Sequence, residues 1–192
     1  MSFKDTKLHE NPWQILSTNT KYENNWLRVD HHDVINPAGN PGIYGTVHFK
    51  NLAVGVVVLD DENNTYLVGQ YRFPLGQYSW EIPEGGAPLD QDPLEMAMKE
   101  LKEETGLTAR NWIKLAKLHT SNSATDEAAI IYLASGIETG IAEPEETEIL
   151  NVKKIPFTKY VEMIEDGEIT DAISVCAGLL TYRWLNKQNQ KT

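Results

Sequence analysis

One stretch constrains this chain more than any other: residues 85–107, GGAPLDQDPLEMAMKELKEETGL, a glycine-led loop running into a capped helix. Asp92 suits an N-cap, Pro93 the first helical position, and Glu95 stands three residues after the cap, while Gly106 can close the helix in a left-handed conformation. Leu94, Ala97, Met98 and Leu101 recur at helical spacing and predict a stripe packed on a sheet. The opposite face is acidic. Glu100 lies one turn before both Glu103 and Glu104, so three carboxylates gather near the helix C-terminus, where the macrodipole is already negative. Each placement costs about 0.3–1 kcal/mol from the dipole, before like-charge repulsion is added. Two readings follow: a solvated acidic face, or oxygen ligands for a hard cation such as Mg2+, which reverses the sign of that cost.

The rest of the composition narrows the class. A chain of 192 residues, 41% hydrophobic with five Trp, can bury a sizeable core and carry a small appendage. Its formal charge of −11 repels nucleic-acid backbones on average, and no basic patch relieves it, so no nucleic-acid partner is expected. A small anion escorted by cations remains compatible. The single cysteine, Cys176, excludes an intrachain disulfide and reads as packing within a predicted helix. The N-terminal MSFKDTKLHENPW lacks the apolar core of a signal peptide, and no run approaches the roughly 20 apolar residues of a membrane span. The expectation is a cytoplasmic protein with no membrane association. The five His show no metal-ligand spacing and read as ordinary.

Along the chain, residues 26–29, 31–35 and 44–49 read as extended pieces around the Pro/Gly cluster 36–42, a small antiparallel unit too thin to fold alone. Two apolar runs, AVGVVVLD and TYLVGQYRF, flank an Asn-rich turn and predict a buried hairpin. Residues 78–82 add another extended piece. After the central helix, 112–119 and 128–134 read as strands around the polar loop 121–127, and loops so placed often carry binding groups. The acidic segment 143–148 precedes an extended 149–155, and two helices follow at 158–166 and 171–187. Strands in the middle with helices before and after predict a mixed sheet covered on both sides.

The stretch 85–107 resembles the Nudix box: Gly85, Glu100, Leu101, Glu103, Glu104, Gly106 and Leu107 match that family's pattern in register. Two positions depart from it, Gln91 for a Glu and Lys99 for an Arg. A neutral acceptor and a point ammonium lose the bidentate geometry of an Arg–carboxylate pair, which predicts a looser loop. Gln70-Tyr71-Arg72, Trp80-Glu81-Ile82-Pro83 and 167–172 (GEITDA) are similar to the ADP-ribose and nucleotide-sugar pyrophosphatase branch, as is Trp26-Leu27-Arg28-Val29 to its strand-rich appendage.

The resemblance implies an α/β fold, a Nudix α/β/α sandwich around a mixed sheet in residues 51–192, with an N-terminal antiparallel β appendage in residues 1–50 that forms a homodimer. It implies hydrolysis of the diphosphate of a nucleoside diphosphate sugar, with Mg2+, or Mn2+ in its place, held by Glu100, Glu103, Glu104 and the carbonyl of Glu84. Aligning on 167–172 makes Glu146 or Glu148 the general base, Glu146 being preferred. Glu81 becomes a substrate contact. Arg72 binds a phosphate or makes a structural pair, and Glu127 contacts substrate or orients water or is a simple loop acid. Trp26 and Arg28 border the nucleobase or belong to core and surface. Two alternatives stay open: a non-catalytic nucleotide-sugar sensor, and a hydrolase of dinucleotides or nucleoside triphosphates.

Overall fold

The structure is a computed structural model and describes residues 10–142 and 149–190. The chain forms two compact units, one of residues 1–50 with 121–126 and one of residues 51–120 with 127–192.

The first unit is an antiparallel sheet of β1 (Gln14–Glu23), β2 (Leu27–Ile35) and β3 (Pro41–Phe49), in that order. Asn24 makes the first corner, its side-chain oxygen accepting from the N–H groups of Trp26 and Leu27, both at 2.8 Å. Asn36 makes the second in the same way with Ala38 and Asn40, both at 3.0 Å. These Asx turns explain why Asn sits at both bends. β1 is absent from the sequence-based expectation for a physical reason. Every residue of QILSTNTKYE is exposed, so no alternation of buried and exposed positions marks it as a strand. Residues 121–126 close the unit: Val47 N donates to Ala124 O at 2.9 Å, and Phe49 N donates to the Asp126 carboxylate at 2.9 Å.

The second unit holds a mixed sheet, order β7-β4-β9-β8, of β4 (Asn51–Leu59), β7 (Glu84–Pro88), β8 (Leu107–His119) and β9 (Ala128–Thr139). β4 and β9 run parallel, and the other pairs are antiparallel. A second, antiparallel sheet orders β10 (Asn151–Pro156), β5 (Asn64–Arg72) and β6 (Gln77–Glu81). Helices α1 (Pro93–Thr105), α2 (Phe157–Glu165) and α3 (Ala172–Asn189) complete it.

β4 shows how the layers arise. Val54, Val56 and Val58 point to one face and pack with Ala97 and Leu101 of α1, Ile130 and Tyr132. Val57 and Leu59 point to the other and pack with Ile131, Leu133, Phe157 and Tyr160 of α2, and Ile173 and Ala177 of α3. A strand covered on both faces must be apolar at every position, hence the unbroken AVGVVVL. Burying each such Val or Leu is worth about 1.5–3 kcal/mol. The expected β4–β5 hairpin is corrected here: the turn exists, but the two strands enter different sheets. Asp60 holds the turn, accepting from Glu62 N at 2.9 Å and Asn64 N at 2.8 Å, with Lys154 Nζ at 2.7 Å. Burial pushes its carboxyl up, but the Lys154, Asn64 and Glu62 donors outweigh burial and pull it down to about 2.

α1 follows its start and stop signals. The Asp92 carboxylate accepts from Leu94 N at 2.7 Å and Glu95 N at 3.3 Å, and Gly106 ends the helix at φ +72°. Met98, expected on the packed stripe, is 40% exposed, and Glu104 takes a buried place instead. Cys176 is half-buried against the α2/α3 side of the core. No helix of the described residues is long and apolar enough to cross a membrane.

Candidate functional site

The glycine-led loop is itself a strand. β7 pairs with β4 from Asn51↔Pro88 to Gly55↔Glu84, which lays the backbone of Glu84 and Gly85 alongside α1. A Cβ at Gly85 would fall on the Glu100 carboxyl carbon, so only glycine admits that carboxylate to the strand. One turn on, Glu104 is 2% exposed and accepts from Glu84 N at 3.0 Å. Glu103 is more open and lies with its Oε2 3.2 Å from Lys99 Nζ. Glu100 and Glu104 are thus fixed against the backbone of residues 84 and 85, and Glu103 stands beside the second Nudix-box departure, Lys99.

A second layer of charge backs the loop. Arg72, at the end of β5, donates through Nε to both oxygens of Glu81 at 3.0 Å, and through Nη2 to Glu81 Oε2 at 2.5 Å and Glu84 Oε1 at 2.6 Å. Glu81 is 2% exposed, and Glu84 Oε2 is buried with no hydrogen-bond partner among the described residues. Burial pushes the Glu84 carboxyl well above the usual carboxylate range, and the charges of Asp171 and Glu81 push the same way against Arg72. Burial alone would lower the Arg72 guanidinium; the Glu81 hydrogen bonds and the charges of Glu84 and Asp171 more than reverse that. Tyr160 closes the rear, its hydroxyl donating to Ser174 O at 2.5 Å and pushed up first by burial and then by the Asp171 charge.

The residues expected from the sequence divide accordingly. Arg72, Glu81, Glu84, Glu100 and Glu104 come together in the second unit. Glu127 stands just before β9, where its Oε2 accepts from the Thr120 hydroxyl. Trp26 and Arg28 belong to the first unit; Trp26 is 65% exposed, and Arg28 Nε donates to Asp30 at 2.9 Å. Glu146 and Glu148 lie outside the described residues. Asp171 and Tyr160 were not singled out as site residues. Asp171 caps α3, accepting from Ser174 N at 2.7 Å, and its charge acts on Glu84, a non-local effect that its sequence position does not reveal.

Oxygen donors dominate this site: three carboxylates on one helix, the Glu84 backbone, and an orphaned, buried carboxylate oxygen. That donor set fits a hard divalent cation. The chain belongs to the NUDIX domain family, which matches residues 49–174, and residues 13–47 match the nucleoside diphosphate sugar hydrolase N-terminal domain. Members of the family generally use a divalent metal. Among relatives, the chain is 35% identical to an ADP-ribose pyrophosphatase of Mycobacterium tuberculosis (strain ATCC 25618 / H37Rv), over 67% of this chain and 63% of that protein. It is 32% identical to an ADP-ribose pyrophosphatase of Bacillus subtilis (strain 168), over 62% of this chain and 66% of that one. The matched region thus spans just under two thirds of each relative. A solved structure described as an ADP compounds hydrolase shares the fold, with a TM-score of 0.78, 23% identity and coverage of 92% of this chain and 95% of that chain.

Proposed function

We propose that the protein hydrolyses the diphosphate of a nucleoside diphosphate sugar, ADP-ribose or an NDP-hexose, to a nucleoside monophosphate and a sugar phosphate. The observation that carries this reading is the seating of Glu100 and Glu104 against the Glu84–Gly85 backbone, beside the orphaned Glu84 Oε2. Glu100, Glu103, Glu104 and the Glu84 carbonyl would hold Mg2+, or Mn2+ in its place. Held by those residues, a divalent ion would supply charge neutralisation at the non-bridging phosphate oxygens and a fixed position for the attacking water. The water oxygen forms a bond to one phosphorus while the bridging P–O bond breaks, and the water proton passes to Glu146 or Glu148. Through Nε and Nη2 Arg72 positions the Glu81 and Glu84 carboxylates, and a phosphate contact through its Nη1 N–H groups stays open. Glu81 and Glu127 remain candidate substrate contacts, and Trp26 and Arg28 candidate nucleobase contacts.

The relatives named as ADP-ribose pyrophosphatases support the substrate class. In this reading residues 51–192 form the hydrolase domain of a cytoplasmic protein and residues 1–50 an appendage that pairs with a second copy. Ile15, Tyr22, Trp26 and Ile43, all more than half exposed on the first unit, supply apolar surface for that pairing. A panel of ADP-ribose, ADP-glucose, GDP-mannose, UDP-sugars, dinucleotides and triphosphates, assayed with Mg2+ and with Mn2+, tests it. Monophosphate and sugar phosphate released fastest from a nucleotide sugar is the expected result. Binding without turnover would replace the enzyme by a sensor, a reading that the Lys99–Glu103 ion pair favours because it engages one of the three ligand carboxylates.

A further inference from the structure

The first unit contains a second set of ligand-type side chains that owes nothing to the acidic helix. Strand register assembles it. Asp30 of β2 lies opposite Thr46 of β3, with Arg28 opposite His48 and His32 opposite Tyr44; on the other side Thr20 faces Asp30 and Thr18 faces His32. Side chains two apart on a strand, and those directly opposite, share a face. Thr18, Thr20, Asp30, His32, Thr46 and His48 therefore form one polar patch. Within it the ligand atoms of Asp30, His32 and His48 all lie within 4.8 Å of one another.

The two imidazoles aim at one point. His32 Nε2 and His48 Nε2 are each 2.9 Å from the Thr46 hydroxyl oxygen, and His48 Nε2 is 3.6 Å from Asp30 Oδ2. Their outer nitrogens are engaged elsewhere: His32 Nδ1 lies 2.9 Å from the Thr18 hydroxyl, and His48 Nδ1 lies 2.7 Å from Asp126 Oδ2. An ionised Asp126 only accepts, so the neutral His48 ring carries its proton on Nδ1 and presents a lone pair at Nε2. This carboxylate–imidazole arrangement is the one that orients histidine ligands toward a metal. With His32 in the same tautomer, donating to Thr18, two lone pairs converge on a hydroxyl that has one proton to give. Asp30 accepts from Thr20 at 2.7 Å and from Arg28 at 2.9 Å, which leaves a lone pair toward His48.

We propose that Asp30, His32 and His48 bind a borderline transition-metal ion, with Zn2+ as the representative, at the centre of the first unit. Two imidazoles and one carboxylate suit Zn2+ and Co2+, whereas Mg2+ prefers oxygen alone. An ion at the about 2.0–2.1 Å that Zn–N bonds require would take the point where both Nε2 atoms now meet Thr46 Oγ1, which moves aside or joins as a further oxygen ligand. Asp126 acts from behind His48, so the ion would tie β2 and β3 to the segment 121–126.

The test is a Co2+ titration of the full-length protein with Mg2+ saturating, so that sites preferring Mg2+ are filled. One equivalent showing the visible bands of a nitrogen-ligated, low-coordinate ion, displaced by Zn2+, is expected. His32→Ala and His48→Ala should each abolish those bands. Asp126→Asn, which keeps the volume and a hydrogen-bonding group, should weaken binding about 10–100-fold. The double variant Glu103→Gln/Glu104→Gln should retain the bands. Zn2+ should raise the melting temperature of the wild type but not of the His48→Ala protein. The proposal is overturned if the wild type shows no such bands, or if they vanish with the glutamate double variant and survive both histidine variants. The patch is then a hydrogen-bonded network through Thr46 alone.

Discussion

The glutamates of α1 and the Asp30–His32–His48 patch on β2 and β3 both collect groups that repel one another or lack protons, yet they are put together by opposite routes. The first is local. Glu100, Glu103 and Glu104 fall within five residues, and helical spacing alone brings them round to one side. The second is non-local: Asp30 and His48 are neighbours only because β2 pairs with β3 in one register, and a slip of one residue would send each to the opposite face. Their chemistry differs as well, oxygen alone against nitrogen with oxygen, and donor sets of those two kinds favour cations of different hardness.

The largest expected effect falls on the helical site. Glu104→Gln keeps an acceptor for Glu84 N but removes a ligand charge, and should lower kcat/KM for ADP-ribose at saturating Mg2+ on the order of 10³-fold, with an unchanged circular dichroism spectrum. If activity survives while His48→Ala abolishes it, the functional contrast between the two regions is reversed. Next comes Arg72→Met, which strips the counter-charge from buried Glu81 and a hydrogen bond from Glu84. Removing one partner of a buried pair costs about 3–5 kcal/mol, reduced here to roughly 2–4 because Arg72 is partly exposed. Urea unfolding should show it, and a change below the error of the method would mean the carboxylates are neutral without Arg72.

A smaller effect depends on pH. The folded Glu84 carboxyl is raised above its ordinary value of 4.5, so the folded state holds a proton that the unfolded state gives up. Its stabilising contribution is full below that value and is lost as pH rises toward the folded value. In divalent-free buffer, Glu84→Gln should therefore gain on the wild type as pH climbs above 4.5, by at most about 1.4 kcal/mol per pH unit. Melting curves across that range check it; a constant difference would show an ionised Glu84 and a site more open to water than the structure implies. Smallest of all, Gln91→Glu with Lys99→Arg restores the family pair and should add no more than about 1 kcal/mol, read as a shift in urea midpoint.

The same local and non-local division decides what was legible beforehand. α1 could be read because its cap, its proline and its closing glycine are each within one turn of what they act on. The unbroken run in β4 announced a strand covered on both faces, but not that β5 would leave for another sheet, since one tight turn serves either outcome. β7 was hidden by Gly85 and Gly86: glycine carries no side chain to alternate, and here the missing Cβ makes room for Glu100. The carboxylate cluster of α1 could be read from its spacing, whereas the Arg72–Glu81–Glu84 triad draws its members from β5, β6 and β7 and leaves no local trace. His32 and His48 looked ordinary because the fifteen intervening residues carry no trace of register.

Residues 121–126 belong to the first unit although they are flanked on both sides by chain of the second. The polypeptide therefore passes between units three times, after residues 50, 120 and 126. During synthesis the first three strands are made early, but Asp126, which receives His48 and Phe49, is added only after α1 and β8 have been synthesised. The amino-terminal unit is thus completed late, and a truncation at residue 50 would not release it whole: it would leave behind the short segment that Val47, His48 and Phe49 depend on.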